Sequence, residues 1–396
     1  MDTEAMAGAV RDLAALSMRF LLHLGGNQTN LAFSPLSFHY VLVLLAAGAT
    51  GDTLNQIVSF LGPSGGMAHA SLSSYAASAF VARGNGSEPD VRCGVGLWVD
   101  SSLQLRPAFA DMVASRYNAT AQAMHFLEKP DEARVEINRW FEDQTGGLIK
   151  ELMPDGHLDD RDTALVIGNA LYLRGSWLRR FNRQDTKDGD FFLADGSRVR
   201  VPFMTSEKRQ RISSHPGFKV LQLPYDLGSR GGGGGRHRFS MHIYLPDERD
   251  GLQELIRELS SDTAGFLNRS APAQAVEVGD FKIPKFKVSR KVDAADLLKD
   301  MGLERPFCAS HDFAEMVDYS GPLAVGSVLH ECVVEVDEDG TMAAAATEAE
   351  IMVGSSIVWE EPARVDFVAD HPFLFLITED ESGIVLFAGQ VANPVL

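Results

Sequence analysis

Basic residues are scarce: 36 Lys and Arg stand against 54 Asp and Glu, a net charge of -18, and no basic cluster along the chain offsets it. Neither a nucleic acid nor an anionic membrane is expected as a partner. Cysteine is scarce too. Cys93, Cys308 and Cys332 cannot all pair within one chain, and none has the C-x-x-C spacing of zinc or redox work. Reduced, buried thiols are expected, as in a cytoplasmic or nucleocytoplasmic protein. Long apolar runs are missing: Tyr40 to Ala49 is too short to cross a bilayer. The stretch from Leu13 to Leu24 is broken by Arg19 and His23 and makes a poor signal peptide behind the acidic opening Met1-Asp2-Thr3-Glu4. Release to the extracellular space is left open; without it, the glycosylation sequons at Asn27, Asn85, Asn118 and Asn268 go unused.

Repeats of about 20 to 50 residues are absent, which removes solenoids and propellers. No H-E-x-x-H occurs, and His237 with His242 lack a one-turn spacing, so no metal and no cofactor are expected. Gly62-Pro63-Ser64-Gly65-Gly66 fits the G-x-S-x-G formula of a hydrolase nucleophile, but a helix from about Thr53 to Leu61 precedes it where that chemistry needs a strand. An enzyme is not expected.

A hydrophobic share of 45% is ample for a large core. Helical signals dominate the first third. Ser34-Pro35 writes a helix start, Ser as cap and Pro as first residue, and Leu36 to Ala47 continues apolar. From Ala164 the texture turns to strand: Ala164 to Leu173 is one apolar run of strand length, and Phe218 to Leu223, Arg238 to Leu245 and Val276 to Val288 follow. Gly231 to Gly235 lies between two of these and reads as a hairpin tip. The class is α+β, helices early and strands late.

The least ordinary segment is Gly340-Thr341-Met342-Ala343-Ala344-Ala345-Ala346-Thr347, running into Glu348, Ala349 and Glu350. With a period of two, one face carries Thr341, Ala343, Ala345, Thr347, Ala349 and Ile351, and the other carries Met342, Ala344, Ala346, Glu348 and Glu350. As a strand, the first face would pack on a core and leave both glutamates in water. An alanine-rich helix or linker is the plain alternative.

Several stretches together resemble the serpin family, its plant members above all. They are Phe33-Ser34-Pro35-Leu36-Ser37, Ile137-Asn138-Arg139-Trp140, Asn169-Ala170-Leu171-Tyr172-Leu173-Arg174-Gly175-Ser176-Trp177, Glu335 to Thr341, and Asp370-His371-Pro372-Phe373. The resemblance implies one domain over residues 1–396: helices around three β-sheets, a large central mixed sheet, and an exposed reactive-centre loop at about 340–361. It implies a monomeric suicide-substrate inhibitor of serine endopeptidases, with cysteine endopeptidases as the further target class. The protease cuts the loop, forms a covalent acyl-enzyme, and is trapped as the cut arm inserts into the sheet. Ser34, Ser37, Asn169 and His330 would form a hydrogen-bonded cluster where the strands part, with Trp177 at the top of the sheet. Gly340 to Thr347 would be the hinge. Counting from Gly340 puts the reactive bond at Gly354-Ser355; counting back from Phe367 to Phe373 puts it at Ser356-Ile357. A small residue at the cut points to an elastase-like or other small-pocket target. A storage or binding protein on the same fold is the alternative.

Overall fold

The computed structural model of the chain describes residues 3–26, 29–80, 90–158, 163–226, 237–341 and 364–395. Ser34 caps the helix that the sequence marks out. Its side chain accepts from the Ser37 amide at 3.0 Å, Pro35 takes the first position, and the helix, α1, runs Pro35–Gly48. Every residue from Pro35 to Leu45 is buried, because the segment is apolar all round and has no polar face to give to water.

Above α1 lies a six-stranded mixed sheet. Its strands are β1 (Asp90–Asp100), β2 (Thr120–Met124), β3 (Leu165–Ser176), β4 (Phe286–Asp293), β5 (Ser327–Val336) and the two-residue β6 (Gly340–Thr341), in the order β4-β5-β6-β3-β1-β2. β1 with β3 and β4 with β5 are antiparallel, whereas β3 with β5 and β1 with β2 are parallel. A seven-stranded antiparallel sheet and a four-stranded sheet complete the three that the resemblance implied.

β3 is buried on both faces, as its unbroken apolar run requires. Leu165, Ile167, Leu171 and Leu173 join the main core with α1, as do Val328, Cys332, Val334 and Val336 of β5. Val166, Ala170 and Leu329 point the other way, into a smaller core with Ile137 and Phe141 of helix α2 (Pro130–Gln144) and with Ile149, Leu152 and Met153 beyond it. Both faces of the sheet's lower half are therefore covered.

Three expectations need correction. Strands are not confined to the later chain: β1 sits amid the early helices. Its Gly94 and Gly96 hide a strand from propensity, yet both are required, since a Cβ on Gly94 would lie 2.9 Å from Gln144 Cβ and one on Gly96 would collide with the Trp98 ring. The stretch Val276 to Val288 is not one strand. At Pro284 it leaves the four-stranded sheet, and β4 begins at Phe286 in the six-stranded one. Of the three free thiols, Cys93 and Cys332 are buried as expected, but Cys308 is exposed. The strands Phe218–Pro224 and Phe239–Pro246 pair antiparallel, as a hairpin should, while Gly231 to Gly235 fall outside the described residues.

Candidate functional site: the cleft of the central sheet

β3 and β5 run side by side for only part of their length. Residue pairs from Ser327↔Val166 to Cys332↔Leu171 close the lower half. Above them the strands part, and residues 172–174 and 333–335 do not pair with each other. At the top Gly340 and Thr341 enter between them: Thr341 pairs with Gly175 on one side and Val336 on the other, both antiparallel. Only glycine fits at 340. A Cβ there would collide with the Gly175 carbonyl oxygen and lie 2.7 Å from Ser176 Cα.

Under the closed half, residues 34, 37, 169 and 330 lie together. The Ser34 amide donates to His330 Nε2 at 3.3 Å, and His330 Nδ1 lies 2.8 Å from Asn169 Oδ1. Because Nε2 accepts, the ring proton sits on Nδ1 and is given to Asn169. Phe38 of α1 packs on the imidazole at 4.5 Å. Burial drives the His330 pKa down to about 3, so the ring is neutral. Two buried polar atoms of this cluster, Asn169 Nδ2 and Ser37 Oγ, have no hydrogen-bond partner among the described residues. A buried polar atom without a partner is costly, so either of these would gain from an added donor or acceptor.

Trp177 stands at the top of the cleft, 2% exposed, and its Nε1 donates to the Asp337 carbonyl at 2.9 Å. Its ring stacks on Tyr225 at 4.8 Å. The turn into β6 is held by groups that the sequence reading missed. Asp337 Oδ1 accepts from the amides of Asp339 and Gly340. Glu338, only 4% exposed, accepts from Thr186 Oγ1 and Lys285 Nζ, each at 2.7 Å, and Arg183 pairs with Asp339. Burial alone would raise the Glu338 pKa, but the bonds from Lys285 and Thr186 outweigh it and leave the carboxyl below its ordinary value. The run Asp337-Glu338-Asp339 at the end of an apolar strand is the one signal in the sequence that cationic partners should exist.

Breaking this anchor has a measurable cost. Glu338→Ala leaves the Lys285 ammonium and the Thr186 hydroxyl without their acceptor, and a loss of about 1–3 kcal/mol is expected, the ammonium being partly solvated. Urea denaturation of the variant beside the parent measures it, with Asp280→Ala, an exposed surface pair, as the silent control.

Met342, Ala343, Ala344, Ala345, Ala346 and Thr347, and both candidate reactive bonds, Gly354-Ser355 and Ser356-Ile357, lie outside the described residues. No group of three or more His, Cys, Asp or Glu that could hold a metal occurs among the described residues, and no described helix is long and apolar enough to cross a membrane.

Comparison with known proteins agrees with this arrangement. The family model described as Serpin (serine protease inhibitor) matches residues 11–394. Serpin-ZXA of Oryza sativa subsp. japonica is 45% identical over 376 residues, covering 94% of this chain and 92% of the relative. Serpin-ZX of Hordeum vulgare is 45% identical over 393 residues, covering 98% and 96%. Among solved structures, Arabidopsis AtSerpin1 in its native stressed conformation superposes with a TM-score of 0.87 at 38% identity over the full length of both chains. With a family model matched over residues 11–394 and plant relatives 45% identical over nearly its whole length, the chain belongs to the serpin (serine protease inhibitor) family.

Proposed function

We propose that this chain, acting as one domain and as a monomer, is an irreversible suicide-substrate inhibitor of serine endopeptidases with small specificity pockets. The observation that carries the reading is the cleft between β3 and β5, already entered by Gly340 and Thr341 in a register that the rest of the hinge can follow. Continuing the pairs Thr341↔Gly175 and Thr341↔Val336 downward sets Ala343 between Leu173 and Val334, and Ala345 between Leu171 and Cys332. Thr347 then arrives between Asn169 and His330, where its hydroxyl oxygen meets the orphan Asn169 Nδ2. Small side chains thus face the main core and the one polar residue among them meets the polar cluster.

The chemistry is a race. The protease's serine attacks the carbonyl of Gly354, or of Ser356 in the alternative count, and expels the amine of the next residue as the new N-terminus. The upstream arm, now tied to the protease as an ester, zips into the cleft and drags the enzyme with it before water attacks the ester. Insertion must break the parallel pairs of the lower half and replaces them with antiparallel pairs on both sides.

One expectation changes here. On the same register Glu348 falls opposite Gly168 and Leu329, and Glu350 opposite Val166 and Ser327. That face is the smaller core beneath α2, with Phe141 3.0 Å from where a Gly168 Cβ would sit, and not open water. Insertion past Thr347 must therefore displace α2 or bury two carboxylates, and this is the observation that favours the second reading, a storage or binding protein on the same architecture.

A panel of serine and cysteine proteases decides between them. The expected result is an SDS-resistant adduct with a small-pocket serine protease, together with a released C-terminal peptide beginning at Ser355 or Ile357. Clean cleavage with no adduct across the panel would leave the second reading.

A further inference from the structure

The hinge is seated against a tyrosine. Thr341 is 1% exposed, and its Oγ1 lies 2.7 Å from Tyr225 Oη, a buried hydrogen bond between residues 116 positions apart. Tyr225 is itself 3% exposed and is fixed in place twice, by stacking on Trp177 and by a backbone bridge to Trp177. We infer that Tyr225 is a positioning residue of the inhibitory reaction: it holds Thr341 in the sheet before any bond is cut, so that insertion begins from a formed nucleus in a fixed register. The inference rests on the inhibitory reading above.

The physical case has two parts. Starting a strand between two others fixes several torsions and closes a chain loop for few bonds, whereas each later residue fixes only its own torsions and gains bonds on both sides. A seated Thr341 has met the starting cost in the uncut protein. Register is the second part. Thr341 pairs with Val336, whose side chain is in the main core, so the hydroxyl bond selects the face on which residues 343, 345 and 347 must follow. A slip by one residue would put Met342 on that face and send the small residues to the other. Tyr225 guards against that slip because only a hydroxyl-bearing side chain at the seat completes its bond.

Tyr225→Phe keeps the ring and its stack and deletes only Oη. The expected result is an unchanged rate of loop cleavage by a trapped protease and a melting temperature of the cleaved form lowered by only about 1–2 °C, as the loss of one hydrogen bond requires. The ratio of released, cleaved inhibitor to adduct should rise, by up to about fivefold, the limit set by one buried hydrogen bond when its loss unseats Thr341. Thr341→Val should do the same, and the double variant should be no worse than either single one, because both remove the same bond. General structural damage would instead lower the melting temperatures by well over that and add up in the double variant. If the parent traps the protease and Tyr225→Phe partitions identically, or if the two substitutions add, the positioning role is wrong and the inhibitory reading stands. A parent that forms no adduct overturns that reading itself, and this inference with it.

Discussion

Cutting the intact chain within residues 340–361 is expected to raise its melting temperature by about 15 °C or more. A strand of roughly a dozen residues between β3 and β5 gains roughly 20 ladder hydrogen bonds at about 0.5–1.5 kcal/mol each, so of order 10 kcal/mol even after the lower parallel pairs are given up. In a chain of this size 1 kcal/mol corresponds to roughly 1–2 °C, somewhat less than in smaller domains. Thermal melts before and after limited proteolysis make the comparison. Thr347→Arg sharpens it, since the guanidinium would be driven between Asn169 and the neutral His330, at a cost of several kcal/mol. That variant should still be cut but should lose most of the rise, and should behave as a protease substrate. Parent samples that melt alike before and after the cut would show that the arm stays outside.

Mild acid is expected to destabilise the uncut protein steeply. His39 and His330 are fully buried and His242 is half-buried; all three are neutral, with pKa values lowered by burial to about 3 for His39 and His330 and about 4 for His242, and for His39 also by the neighbouring His69. Unfolded histidine titrates near 6.5. Below that value the unfolded chain takes up three protons that the folded chain refuses, so stability is complete above about pH 6.5 and falls as pH drops toward the folded values. Each histidine contributes about 1.4 kcal/mol per pH unit in this window, and the three together about 4. A step from pH 6 to pH 5 thus removes a large part of a typical 5–15 kcal/mol stability, while carboxylates titrate little. Urea unfolding at pH 7.5, 6 and 5 measures the slope, and His242→Gln should reduce it by about a third. A flat profile would mean that these rings are hydrated. Function is involved as well, because a proton on His330 Nε2 takes the lone pair that accepts the Ser34 amide.

What could be read from the sequence follows the range of the forces. Ser34 and Pro35 announce α1 through contacts within one turn, and β3 shows itself because burial on both faces demands an unbroken apolar run. Thr341 is buried opposite Val336 of the main core, while the other residues of the period-two division lie outside the described residues. The partners of the hinge turn were out of reach. Glu338 bonds Lys285 and Thr186 across 53 and 152 positions, and neither residue carries a local mark of that role. Likewise the second core beneath α2 could not be foreseen from the alternation of Glu348 and Glu350, which reports only that one face differs from the other.

The lower half of the central sheet, where β5 lies directly against β3, also acts as a clock. Six residue pairs hold that seam shut, and on the proposed reading the deeper energy minimum lies beyond it. On that reading the uncut protein has a shelf life, a waiting time for spontaneous unzipping, and not a resting equilibrium. Heat, acid or a loosened anchor at Glu338 would all age it in the same direction.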